Sequence, residues 1–394
     1  MSVEALISTQ VIDTTSVGRS IMTAADAAAV RTAADAQVTL VSGTNIKTVN
    51  STSLLGSGDI AVGVSGTGAV DNAALRADGT GGATLQTSAF VIADNGTASP
   101  NNTVNHASIQ ATGGTTNVSV SIVPKGGGAF CLQVPDGTAT GGNARGNYAV
   151  DLQTTRGTAA KVASGVASFA VGSGNTASGM YSFAQGSDCI ASSINGVAMG
   201  FQCTASGSYE TFAFGEYCTA SADNALAIGH QVLASAFAAS AWGSRASSTR
   251  YAMQSHASGS FAATGDAQYV RFVARRKTTD ATATTLMLDG STTRLTITSG
   301  KVMSAICRIC GIKSDGSAVA NYVRRVVIKN VGGTTSLVGT VETIGTDIED
   351  NASTDVAITA DNTNDALQIN VTGIAAETWR WVAVVEGLEI AYGT

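Results

Sequence analysis

The chain is 394 residues long, with 44% hydrophobic, 5% aromatic and 13% charged residues and 45 glycines. Such a length holds two or three domains, but so few aromatic and charged side chains suit a fibrous β protein better than a globular enzyme. With 22 basic against 28 acidic residues the net charge is −6. This gives no electrostatic case for a nucleic-acid partner, and no apolar run approaches a membrane span, so no membrane insertion is expected.

Residues 1–40 open with MSVEALISTQVIDTTSVGRS, which lacks a basic region followed by an apolar core and does not read as a secretory signal. Ile21 to Ala36, IMTAADAAAVRTAADA, is alanine-rich and is expected to be helical, with Thr23 as N-cap and Asp26 in the first turn. Its apolar face is thin and needs partners, which a short three-helix bundle would supply; a lone surface helix is the alternative. Over 41–100, short strands broken by Gly-Ser, Asp-Gly and Gly-Gly turns predict interleaved β-stalk modules. Over 101–162, the runs VSVSIV and AFCLQV predict a β transition region. The stretches PKGGG and GGNARG enter no helix, so neither a phosphate cradle nor a cofactor site is expected.

From 163 to 257 the sequence repeats. Successive units close on Gly172, Gly186, Gly200, Gly215, Gly229 and Gly243, at steps of 14, 14, 15, 14 and 14 residues, with the extra residue near Tyr209–Thr211. A short fixed period means a solenoid, in which each coil buries its surface against its neighbours. An alanine recurs two residues before each glycine, from Ala170 to Ala241, and alternates with larger side chains. Period 2 argues strand. The glycines and Ala-Ser-Gly stretches are expected in the turns, where positive φ is needed. Small residues suit a narrow interior, whereas Phe183, Phe212, Leu226, Ile228 and Trp242 demand burial elsewhere, most simply by self-association. Cys189, Cys203 and Cys218 share a column with Asn175, Val232 and Ala246, which is expected to point inward as small apolar packing.

These units resemble the head repeats of trimeric autotransporter adhesins, and similar repeats occur in bacteriophage tail fibres. GRSIMTAADAAAVRTAADA, the modules at 42–63 and 71–97, and VPDGTATGGNARGNYAVD likewise resemble tail-fibre segments. The resemblance implies a homotrimer whose three chains form a left-handed parallel β-roll. A surface adhesin needs a signal peptide and a membrane anchor, and neither is expected here, which favours the tail fibre. The expectation is a virion component assembled in the host cytoplasm. Its N-terminus would grip another tail or baseplate protein, and its distal head would meet a host cell-surface glycan or protein.

Residues 258–284, with Arg271, Arg275, Arg276 and Lys277, read as a neck. Over 285–394, eight short strand-like runs separated by turn residues predict an antiparallel β-sandwich head, and this domain also resembles tail-fibre heads. The expected fold is therefore an all-β fibrous homotrimer: short N-terminal helix, β stalk, left-handed parallel β-roll shaft and C-terminal antiparallel β-sandwich head. Trp379 and Trp381 share a strand face and are assigned to core, roll or trimer packing. Receptor-contact candidates on the head loops are Asp347, Glu349, Asp350, Asp355, Asp361 and Asp365. The first four could also hold Ca²⁺, though without the EF-hand glycine and spacing.

Cys307 and Cys310 form a CxxC, but strand periodicity sends them to opposite faces, and no metal is expected there. His256 is a candidate for an ion on a three-fold axis. The roll has few acids (Asp188, Glu210, Glu216, Asp223) and no stacked carboxylate pair, and His106, His230 and His256 stand in no nucleophile motif. The chain is thus expected not to be an enzyme. The alternatives are a connector with recognition by another tail protein, and a glycan-depolymerase tailspike.

Overall fold

The computed structural model describes Ser20 and residues 24–33, 73–77, 85–94, 107–111 and 121–392. They belong to two units, Met1–Ile122 and Val123–Thr394. In the first, helix α1 spans Ala27–Ala33. Its cap is Asp26, whose Oδ1 accepts the Ala29 N–H at 2.8 Å; the expected cap, Thr23, lies outside the described residues. The same unit holds an antiparallel sheet of β1 (Ala73–Ala77), β2 (Leu85–Asp94) and β3 (Ala107–Ala111), in that order. The module expected at 42–63 also lies outside the described residues.

The second unit is all-β and begins as a parallel β-solenoid. Each coil supplies a five-residue wall strand, from Phe169–Ser173 to Gln254–Ser258, and a two-residue strand on a second ladder, from Thr176–Ala177 to Ser247–Ser248. Wall strands pair in parallel and in register, glycine on glycine from Gly172 to Gly243. The stack starts before the first repeat glycine, since Val150–Thr155 already pairs with Phe169–Ser173. Alternation along the wall places Ala170, Ala184, Ala198, Ala213, Ala227 and Ala241 inside at 0% exposure. They face the second-ladder residues Ala177, Ala191, Ala205, Ala220 and Ala234, also 0% exposed, so the interior is as narrow as the residue sizes demand.

The repeat glycines are not turn residues. Each sits inside a wall strand at φ between 100° and 132°. A Cβ on Gly186, Gly200 or Gly215 would meet the carbonyl oxygen of the glycine one coil on at about 2 Å. Apart from Gly174, the equivalent turn positions use non-glycine residues in the left-handed region, such as Asp188, Tyr217, Gln231 and Arg245. The ladder ends where this constraint ends: Gly243 pairs with Ala257, whose φ is not positive and which has no further parallel coil beyond it.

The cysteine column is inward, as expected, with Cys189, Cys203 and Cys218 fully buried and unpaired. Its role is polar as well as steric. At four of the repeat glycines the backbone carbonyl is met by a donor from the column. Asn175 Nδ2 reaches Gly186 O at 2.8 Å, and the thiols of Cys189, Cys203 and Cys218 reach Gly200, Gly215 and Gly229 O at 3.3, 3.2 and 3.0 Å. Cys203→Ser, which keeps a donor, is therefore expected to hold stability better than Cys203→Ala by about 1 kcal/mol, read as the difference in urea midpoints.

The single 15-residue coil absorbs its insertion in a turn. Ser208 and Tyr209 donate their N–H groups to Asp223 Oδ1 of the following coil at 2.6 and 3.0 Å, and the wall strands on either side stay in register. At the other end of the stack, Asp151 lies between Arg145 (2.7 Å) and Arg156 (3.2 Å), all three side chains being at most 1% exposed.

Beyond Ser258 the chain reverses. Ala267–Thr278, expected as a neck, is the first long strand of the C-terminal region and pairs antiparallel with the last wall strand. The wall then continues without a break through Trp379–Ala391, Lys301–Lys313 and Val319–Val331. A smaller antiparallel sheet, which includes Asp355–Asp361 and Ala366–Thr372, packs on one face of this long sheet. The shared core includes Phe272, Met303, Ile309, Tyr322, Ile369 and Val371. Trp379 and Trp381, 0% and 1% exposed and stacked 5.5 Å apart, belong to this core, not to the roll or to an outer surface.

Candidate functional site

Three regions hold the residues singled out from the sequence: the outer wall of the solenoid, the acidic loops of the C-terminal region and the junction between the two.

On the outer wall, in-register pairing turns each repeat position into a row. One row runs Phe169, Phe183, Val197, Phe212 and Leu226; the next runs Met199, Phe214, Ile228, Trp242 and His256. Phe169 and Phe183 stack at 5.1 Å, and Trp242 lies 6.1 Å from His256. Phe183, Phe212, Leu226 and Ile228 are half-buried by their row neighbours, while Phe214 and Trp242 remain 44% and 39% exposed. These rows form an apolar outer face on which Phe214 and Trp242 are left uncovered by the other described residues. His256 is exposed and aligns with Tyr269 across the junction.

The acidic loop residues are engaged within the fold. Asp347 binds Arg324 through both oxygens at 2.6 and 2.7 Å, and the hydrogen bonds from that guanidinium hold its carboxyl below the usual range. Glu349 accepts from the Tyr322 hydroxyl at 2.6 Å and Asp350 from the Val319 N–H at 2.8 Å. Asp355 accepts from Val356 N–H at 2.7 Å. Asp361 caps its own turn through Thr363 and Asn364 N–H and faces Arg294. Asp365, in the left-handed region at φ 50°, accepts from Thr335 Oγ1 at 2.8 Å. Among the described residues no group of three or more His, Cys, Asp or Glu side chains is arranged to hold a metal ion. The CxxC divides as its spacing requires, with Cys307 in the core and Cys310 on the outer face.

The junction carries a site that no sequence motif announces. Glu389 is fully buried and receives Arg250 from the last coil, Lys301 Nζ at 2.7 Å and Gln268 Nε2 at 2.9 Å. Gln268 also binds back to the solenoid, accepting from Ser247 N–H and donating to Ser247 O. Burial pushes the Glu389 carboxyl up, but Arg250 and Lys301 outweigh it and hold the group ionised, below the usual glutamate range. Beside this lock lies a groove of about 340 Å³ that includes His256, Phe261, Tyr269, Leu388 and Ile390 in its lining.

No family model matches the chain, and no curated protein matches it. Among solved structures it is similar to a tailspike protein, gp49, of the Acinetobacter baumannii bacteriophage Fri1, described as a capsular polysaccharide depolymerase. The likeness has 11% identity and a TM-score of 0.21, and it covers 52% of this chain and 40% of that one. The expectation that the chain is not an enzyme is corrected here: the structure it matches is an enzyme, and the exclusion of catalysis is withdrawn. A likeness at this level transfers no activity.

Proposed function

We propose that this chain is a structural tail-fibre protein of a phage virion, assembled as a homotrimer. In this reading the solenoid is the shaft, and the two-sheet C-terminal region is a β-sandwich head that meets a host surface. The observation behind the reading is the pair of apolar rows along the outer wall, ending at Trp242 and Leu226. A rod one coil thick cannot bury both its interior and this wall by itself, so copies of the same chain with the same coil spacing are the natural cover. A trimer also presents its heads together, so weak single contacts with a surface glycan or protein add up. The sequence resemblance to fibre repeats and stalk modules points the same way.

Native mass tests the reading directly. Light scattering of the full-length protein is expected to give three times the chain mass of 39.4 kDa. A monomer at micromolar concentration would leave the wall rows without cover and would overturn the proposal.

A further inference from the structure

We propose that the outer face of the long C-terminal sheet is itself a self-association surface, covered by further copies of this chain; the inference rests on the assembly reading above and names where the heads meet. One face of this sheet forms the core with the smaller sheet. The free face of an antiparallel sheet is ordinarily polar. Here it carries Val273, Ile312, Val319, Val382, Leu388 and Ile390, each between 42% and 58% exposed. Strand register sets these side chains in adjoining rows: Ile390 pairs with Val302, Val384 with Val273, and Val319 with Ile312.

Two observations point to more of this chain as the occupant. The first is continuity. The row Trp242, His256, Tyr269, Leu388 crosses from the solenoid wall into the C-terminal sheet without a change of face. Whatever covers the wall therefore runs straight on to the sheet. The second is extent. Strands of up to 13 residues, four abreast, give a face of about 44 by 19 Å, on the order of 800 Å², which matches one partner's share of a standard interface.

The face is not uniformly apolar: Arg271 stands opposite Glu386, Arg275 opposite Val382, Arg325 opposite Ile306 and Lys329 opposite Val302, so a covering copy packs on the apolar positions between these cations. Glu386, near its middle, is already bound by Arg308 and by the Tyr269 hydroxyl at 3.0 Å, so a covering copy need not neutralise it. Lys277 and Arg380 lie opposite one another at the far end of the strands, where an interface carries its polar rim.

Cys310 is a native probe, being exposed on this face opposite Val382. Full-length protein would be treated with a maleimide, and modification at Cys310 read by peptide mass alongside native mass. In the assembled wild type, Cys310 is expected to react at least about 10-fold more slowly than in the double variant Val382→Lys/Leu388→Lys, whose exposed positions tolerate lysine in the folded chain. If the wild type assembles but Cys310 reacts at the same rate in it and in the variant, whether fast or slow, then no copy packed on Val382 and Leu388 shields it, and this inference falls while the assembly reading stands. If the wild type is a monomer, both fall.

Discussion

Gly215→Ala is expected to abolish or nearly abolish the folded solenoid, whereas Gly259→Ala, only two residues past the last rung, is expected to leave it intact. A Cβ at residue 215 would stand 2.0 Å from the Gly229 carbonyl oxygen, a backbone atom fixed by pairing on both sides. Neither coil can retreat without opening its own ladder. Overpacking of this kind costs up to about 3 kcal/mol, and a side chain held at positive φ adds about 1–2 kcal/mol, so a loss of about 4 kcal/mol is anticipated. That is a large share of the total stability of an ordinary domain. At Gly259 a Cβ meets nothing within 4 Å. Thermal unfolding followed by circular dichroism checks the pair; similar midpoints for the two variants would show that coil stacking is looser than the glycine ladder implies.

Glu389→Gln is expected to be comparably damaging, at about 3–5 kcal/mol, because it leaves Arg250 and Lys301 facing each other in a buried site with no counter-charge. Glu342→Gln, which removes an exposed partner of Arg325, is the matched control and is expected to shift the midpoint very little. The same lock predicts acid sensitivity. The folded-state pKa of Glu389 lies below the unfolded value of about 4.3. Its stabilising contribution is therefore complete above that value and is lost as pH falls toward and through the folded pKa. Denaturant midpoints measured from pH 7 down to pH 3 should fall for the wild type. In Glu389→Gln the part of that fall due to this group should be missing. Parallel pH profiles for the two proteins would remove Glu389 as the source.

The solenoid was legible because a repeat writes one structural decision many times. A period of 14, alternation around Ala198 and a small inward column at Cys203 are each weak alone, and the register of six units makes them decisive. What the sequence misassigned was the reason for the glycines, since a turn and a close carbonyl approach leave the same residue in the text. Only the Gly243-to-Ala257 step separates the two, and it lies where the repeat pattern fades. The strand at Ala267–Thr278 was hidden for a different reason: its outward positions hold Arg271, Arg275 and Lys277, which read as a solvated neck until the buried alternation of Val270, Phe272 and Ala274 is seen. The Glu389 site was invisible because its members come from four separate stretches of chain. The acidic candidates from Asp347 to Asp365 were found by composition, which marks turns, and several of them cap or brace those turns.

Antiparallel closure at Ser258 also has a bearing on how this rod can vary in length. A parallel stack has no intrinsic stopping point, because each coil offers its successor the same edge. Here growth is halted by a strand running the other way, and the halt is local to the last coil and the segment after it. Inserting or deleting whole 14-residue units earlier in the stack would leave the glycine spacing, the terminal coil and the Glu389 lock untouched. Reach would change by roughly 4.8 Å per unit. The solenoid is thus built as a ruler whose graduations can be added or removed without recutting its terminal coil.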